Sequence, residues 1–143
     1  MVVIDAQGAV VGRLGARVSK MLLAGKQVEI INADKAVMLG SLSSAKEKFL
    51  SRRSQKNKRN PDESPHWPRS PHLLLRRMIR GMLPWSSQRG RDAYHRLKIS
   101  SGVPEGAALQ AKPQVVKEAG SEGKHGMFTL LELCTEVGYH DRK

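Results

Sequence analysis

The 143-residue chain contains one cysteine, Cys134, so no disulfide can form within it, and a reducing compartment is the simpler expectation. Aromatic residues are only 4% of the sequence, which leaves a core to be built from Leu, Val, Ile, Met and Ala. No apolar run approaches the about 20 residues that a membrane-spanning helix needs, so no membrane partner is expected. The opening MVVIDAQGAV has no basic flank and carries Asp5 too early for a secretory signal. Metal ligands are equally thin. His66 and His72 lie six apart and there is no second cysteine, so neither zinc-finger nor helical His-x-x-x-His spacing occurs. Acids are scarce as well: 13 Asp+Glu face 25 Lys+Arg, a net charge of +12. What remains is a soluble, cytoplasmic single domain spanning 1–143, 39% hydrophobic and therefore able to form a core, with a charge that calls for an anionic partner.

That charge is concentrated. Residues 46–98 hold fifteen Lys+Arg against four acids, so this segment supplies +11 and the rest of the chain is nearly balanced. Ten of the fifteen are arginines, a bias toward planar, bidentate contact with phosphate. Self-repulsion of this size is tolerated when a polyanion such as nucleic acid neutralises it.

The chain opens as strand, glycine-rich turn, helix, strand. Val2-Val3-Ile4 is a β-branched run. Val11, Leu14, Val18, Met21 and Leu22 then fall on one helical face, and Gly25 closes the helix. Gln27 to Asn32 reads as a second strand, and the β-α-β order implies parallel pairing. Ala36 to Leu39 is a short strand or extended connection. Ser44 and Glu47 have capping-box spacing and predict a helix start near Ser44, with Phe49 and Leu50 turned inward. From about Ser51 to Pro71 the chain is polar, cationic and holds four prolines, which predicts a long basic loop. In the next helix Leu75, Met78, Ile79 and Met82 share one side and Arg76, Arg77 and Arg80 the other, while Leu73 lands among the arginines. Pro84 stops this helix near Gly81. A short basic helix over Gln88 to Arg96 and a strand over Leu97 to Ser100 follow. The stretch from Gly102 to Gln114 is a connector, and Val115-Val116 an extended piece. Thr129 and Glu132 cap a last helix whose stripe is Leu130, Leu133, Cys134 and Val137. The alternation predicts an α/β fold, a compact three-layer domain with a small mostly parallel sheet flanked by helices, plus a basic loop extension.

Three kinds of chemistry compete. Gly8, Gly12 and Gly15 sit between strand and helix, with Asp34 about twenty residues on, so a small nucleotide-binding enzyme is one alternative. The spacing is not G-x-G-x-x-G and no G-K-[ST] follows, so a tight turn explains the glycines better. Cys134 belongs to an apolar stripe and no acid–base constellation occurs, so no catalytic residue, cofactor or small-molecule substrate is expected. Nucleic acid fits best. The candidate RNA-binding residues are Arg52, Arg53, Lys56, Lys58, Arg59, His66, Trp67, Arg69, His72, Arg76, Arg77, Arg80, Arg89, Arg91 and Arg96. Planar rings there alternate with phosphate-seeking groups, a pattern suited to structured RNA. No DNA-reading motif is present, and a general RNA chaperone is a third possibility.

Specific stretches go further. Val2 to Gly40, RRMIRGMLP (Arg76 to Pro84), QRGRDAYHRLKISSGVP (Gln88 to Pro104) and the closing FTLLELCTEVGY resemble the universal large-subunit ribosomal protein thirteen family, in its archaeal and eukaryotic form. The resemblance is least clear over Gln55 to Glu63 and Glu105 to Lys124. It implies a structural constituent of the large ribosomal subunit with no cofactor, joining assembly early. Its implied partners are large-subunit ribosomal RNA and neighbouring large-subunit ribosomal proteins. Arg76, Arg80, Arg89, Arg91 and Arg96 fall at motif positions near RNA, and His66 and Arg69 match a His-x-x-Arg stretch. Relatives often carry a basic residue just after the Leu-Pro-x step, where this chain has Ser86-Ser87.

Overall fold

The computed structural model describes residues 1–104, 114–115, 120 and 126–140. Strand β1 (Val2–Asp5) leads through helix α1 (Val11–Leu23) to β2 (Val28–Ile31), and β1 and β2 pair in parallel with Ile4 opposite Ile30. A 3-10 turn (Ala33–Lys35), β3 (Val37–Leu39), α2 (Leu42–Ser54), a second 3-10 turn (Pro61–Glu63), α3 (Pro71–Arg80) and α4 (Gln88–His95) precede β4 (Leu97–Ile99). β5 (Gln114–Val115), β6 (Met127–Thr129) and α5 (Leu130–Glu136) complete the order. The main sheet runs β4-β2-β1-β5 with every pairing parallel, while β3 and β6 form a separate antiparallel pair. This is the α/β domain that the alternation predicts. The predicted connector over 105–113 and the residue Val116 lie outside the described residues.

Side-chain alternation sets the core. Ile4, Val28, Ile30 and Leu97 join the cluster that takes in Leu14, Val18 and Leu22 of α1, Leu75 and Ile79 of α3, and Leu130, Leu133 and Cys134 of α5. Val3 and Ile31 form a small cluster of their own, as strand alternation requires of residues on the opposite face. Cys134 is a buried hydrophobe whose thiol burial pushes up to about 12. Thr129 and Glu132 make the reciprocal capping box of α5 that their spacing predicts.

Several boundaries differ from the sequence expectation. Helix α2 begins at Leu42, and the Ser44–Glu47 capping box does not form. Gly40, at φ 115°, ends β3 so abruptly that the helix starts at once and leaves Ser44 inside its first turn. The same helix runs on to Ser54, so Arg52 and Arg53 are helical and the basic loop starts at Gln55. Stacking of Arg52 on Phe49, one turn back, favours that extension. Leu50 faces solvent instead of the core. Met82, expected on the buried stripe, is 41% exposed because α3 has already ended at Arg80.

The glycines now have separate reasons. Gly8 turns the chain at φ 67°, while Gly15 lies where α1 meets α3: a Cβ there would come within 2.7 Å of Met82 Sδ. Gly90 allows α4 to sit against Pro84, whose carbonyl oxygen would be 2.0 Å from an added Cβ. Gly12 faces open space. Gly90→Ala is therefore expected to lower stability by about 1–3 kcal/mol or more through backbone overpacking. Gly12→Ala should raise it by up to about 1 kcal/mol through helix propensity. Urea unfolding of the two variants checks both signs. Leu75→Asp, at a fully buried position, should leave the chain unfolded by circular dichroism.

Candidate nucleic-acid interface

The cationic segment folds into a band made by α2, the loop after it, α3 and α4. Guanidinium groups in this band lie over rings. Arg77 sits 4.0 Å from the centroid of Trp67, Arg52 4.9 Å from the same ring, Arg76 4.7 Å from Tyr94 and Arg80 5.1 Å from Trp85. The rings contact each other edge-on: Phe49 with Trp67 at 6.0 Å, and Trp85 with Tyr94 at 5.2 Å. Trp67 thus ties the loop to α2 and α3, and the Tyr94–Trp85 pair ties α3 to α4. Each stack contributes about 0.5–1 kcal/mol at a partly exposed site.

Carbonyl oxygens take more of the arginine donors. Arg89 donates to the Leu23 carbonyl at 3.3 Å and Arg96 to that of Leu22 at 3.4 Å. Both caps place positive charge at the C-terminus of α1, where the helix dipole favours it. Arg77 donates to the His66 carbonyl at 2.8 Å, Arg91 to those of Trp85 and Ser86, and Arg69 to that of Gly138. Carboxylates contribute almost nothing. The one ion pair among the described residues, Lys46–Glu136 at 2.6 Å, joins α2 to α5. Burial, and after it Arg69, lowers the pKa of Arg53; burial, then Arg80 and Arg52, lowers that of Arg77 despite an opposing effect of Tyr94. Both shifts come from burial and from neighbouring cations, with no carboxylate among their causes.

The loop is held in shape by polar side chains. The Asn57 carboxamide oxygen accepts from the Arg59 and Asn60 amides, its amino group donates to Glu63, and Ser64 Oγ accepts from the Asn57 amide. These bonds leave Lys56, Lys58 and Arg59 exposed. At the other end Ser87 caps α4 by accepting from the Gly90 amide at 3.2 Å. His72 Nδ1 lies 3.0 Å from Ser101 Oγ, half-buried between α3 and the end of β4.

The fifteen predicted residues therefore divide by environment. Lys56, Lys58, Arg59, His66, Arg69, Arg89 and Arg91 are exposed. Arg52, Arg53, Arg76, Arg77, Arg80 and Arg96 are half-buried, and each of these but Arg53 lies over a ring or donates to a carbonyl. Trp67 is no open stacking platform, because two guanidiniums already lie over its ring and Phe49 abuts it. Sequence reasoning missed Lys48, Phe49, Asn57 and Tyr94. The spacing of Phe49 and Arg52 on α2 was a usable signal, whereas nothing local pairs Tyr94 with Arg76.

A family model described as Ribosomal protein L13 matches residues 1–105. The chain belongs to that family. It is 41% identical to the large ribosomal subunit protein uL13 of Methanopyrus kandleri over 96% of this chain and 86% of the relative. For the uL13 of Methanocaldococcus jannaschii the identity is 39% over 96% of this chain and 98% of the relative. For that of Methanococcus maripaludis it is 43% over 76% and 80%. The relatives are archaeal, matching the form that the RRMIRGMLP and QRGR stretches resemble. An L13-family protein is a structural, non-enzymatic constituent of the large ribosomal subunit, in the cytoplasm. The glycines before and within α1 accordingly answer to the fold, Gly8 through its positive φ and Gly15 through its contact with Met82.

His72 yields a pH prediction. Burial, and after it the neighbouring Arg76, lowers its pKa from the ordinary 6.5, so the folded protein keeps the ring neutral where the unfolded chain protonates. As pH falls from 6.5 toward the folded value, the unfolded state takes up a proton that the fold refuses, and stability declines. His72→Gln should flatten that decline in urea unfolding measured at successive pH values below about 6.5.

Proposed function

We propose that, within the large subunit, this protein binds folded ribosomal RNA through its basic loop and its arginine-bearing helix α3, and so supports early subunit assembly. The observation that carries this reading is the cationic band itself, assembled on rings and carbonyls with a single carboxylate pairing among the described residues. A guanidinium held over a ring keeps N–H donors for a phosphate and is already localised, so less rotamer freedom is left to lose on binding. Lys56, Lys58 and Arg59 supply exposed cations beside these anchored ones. Together they neutralise the phosphates that crowd at an RNA junction and match its shape, without reading its sequence.

The test is sedimentation of the tagged protein from a cell extract through a sucrose gradient, at moderate and then high salt. Retention with the large subunit at high salt is expected, and migration as a free small protein in both would overturn the reading. The combined variant Lys56→Gln, Lys58→Gln, Arg59→Gln should keep its unfolding midpoint and lose retention first at high salt. Its salt slope for ribosomal RNA fragments should fall by about one unit per phosphate contact removed. Arg80→Ala should weaken retention likewise, while lowering stability by about 0.5–1 kcal/mol through loss of its contact with Trp85. Loss of the fold in either variant would instead assign these side chains to stability.

A further inference from the structure

A groove of about 480 Å3 opens between α2, α3 and the β3–β6 pair. Its lining combines two chemistries. Met38, Met78 and Phe128 are apolar, while Lys48, Arg52 and Arg77 bring three cations, and no carboxylate lines it. Two of those cations already lie over Trp67, itself part of the wall, so their positions are set before anything binds. A bare anion would satisfy the cations and leave the methionine surface wet. An apolar side chain would cover the methionines and leave three charges unpaired. A nucleotide does both, with a planar base for the apolar and guanidinium surfaces and a phosphate for the N–H edges. An acidic peptide with one apolar anchor has the same two parts. Two guanidiniums placed together in one wall favour the nucleotide, since a guanidinium can both stack on a base and grip phosphate with two parallel bonds.

We infer that this groove receives one unpaired nucleotide extruded from the RNA, its base against Met38 and Met78 and its phosphate on Lys48, Arg52 and Arg77. The inference rests on the RNA reading above and adds to it a preference: bulged or single-stranded RNA over a continuous duplex. In a regular helix the base is stacked inside and cannot reach a groove of this depth.

The full chain with 13C-methyl methionine tests it by NMR. The probes are a short oligoadenylate, a blunt-ended, fully paired RNA duplex of equal charge, inorganic phosphate and an acidic leucine-containing peptide. Oligoadenylate is expected to shift the Met38 and Met78 methyls upfield through the ring current of the base, while duplex and phosphate leave them in place. Ser44→Trp fills the groove from an exposed helical position and should weaken oligoadenylate binding about tenfold, with duplex affinity unchanged. If both RNAs bind while these methyls stay silent, the groove inference falls and the RNA reading stands. If neither RNA binds, both fall. Equal shifts with phosphate reduce the groove to an anion site, and shifts with the peptide alone assign it to a protein partner; either overturns the inference. Should Ser44→Trp fail to fold, the methyl shifts of the unaltered protein decide.

Discussion

Like charges must be gathered on one surface of this protein, and the rest of the structure is arranged around the means of doing so. A segment of +11 cannot be held together by carboxylates, because it has only four, and neutralising it internally would remove the attraction for an external anion. Rings and backbone carbonyls take their place. Both attract a guanidinium while adding no net charge, so Arg52, Arg76, Arg77, Arg80, Arg89 and Arg96 are anchored and still cationic. The scarcity of aromatic residues sharpens the point. Phe49, Trp67, Trp85 and Tyr94 all stand in this band, where they brace arginines.

This arrangement joins stability to function. The arginines that cap α1 and cross-link α3 to α4 are, on the reading proposed above, the groups that meet phosphate. A side chain bonded at one edge and stacked on one face arrives with its direction fixed, so binding does not have to order it. The exposed loop works differently. Its backbone is shaped by Asn57, Glu63 and Ser64, but its lysines remain free, which suits neutralisation more than positioning. Charge neutralisation and geometric matching thus sit on neighbouring pieces of chain.

Much of the frame was legible in the residues. The helical stripe of Val11, Leu14, Val18 and Leu22, the β-branched strands around it and the Thr129–Glu132 cap are local signals, and each formed where its spacing predicts. Boundaries that depend on distant partners were not legible. Ser44 and Glu47 have the spacing of a cap, yet Gly40 starts the helix earlier. Ser51 to Ser54 reads as loop, yet the helix persists while Arg52 reaches Phe49 and Trp67. Met82 keeps the helical period but lies past the helix end, where periodicity has no force. The family resemblance carried by RRMIRGMLP and QRGR was equally visible, and the match over residues 1–105 bears it out.

By itself the sequence determined the charge, its confinement to residues 46–98, the α/β alternation and the absence of catalytic or metal-binding spacing, because composition and short-range periodicity are properties of the chain alone. Only the tertiary structure decided what each arginine does. Arg76 meets Tyr94, and Arg96 meets Leu22, across separations in sequence that no local rule spans. A guanidinium's role is set by the atoms within a few ångströms of it, and in this protein those atoms come from other elements of the fold.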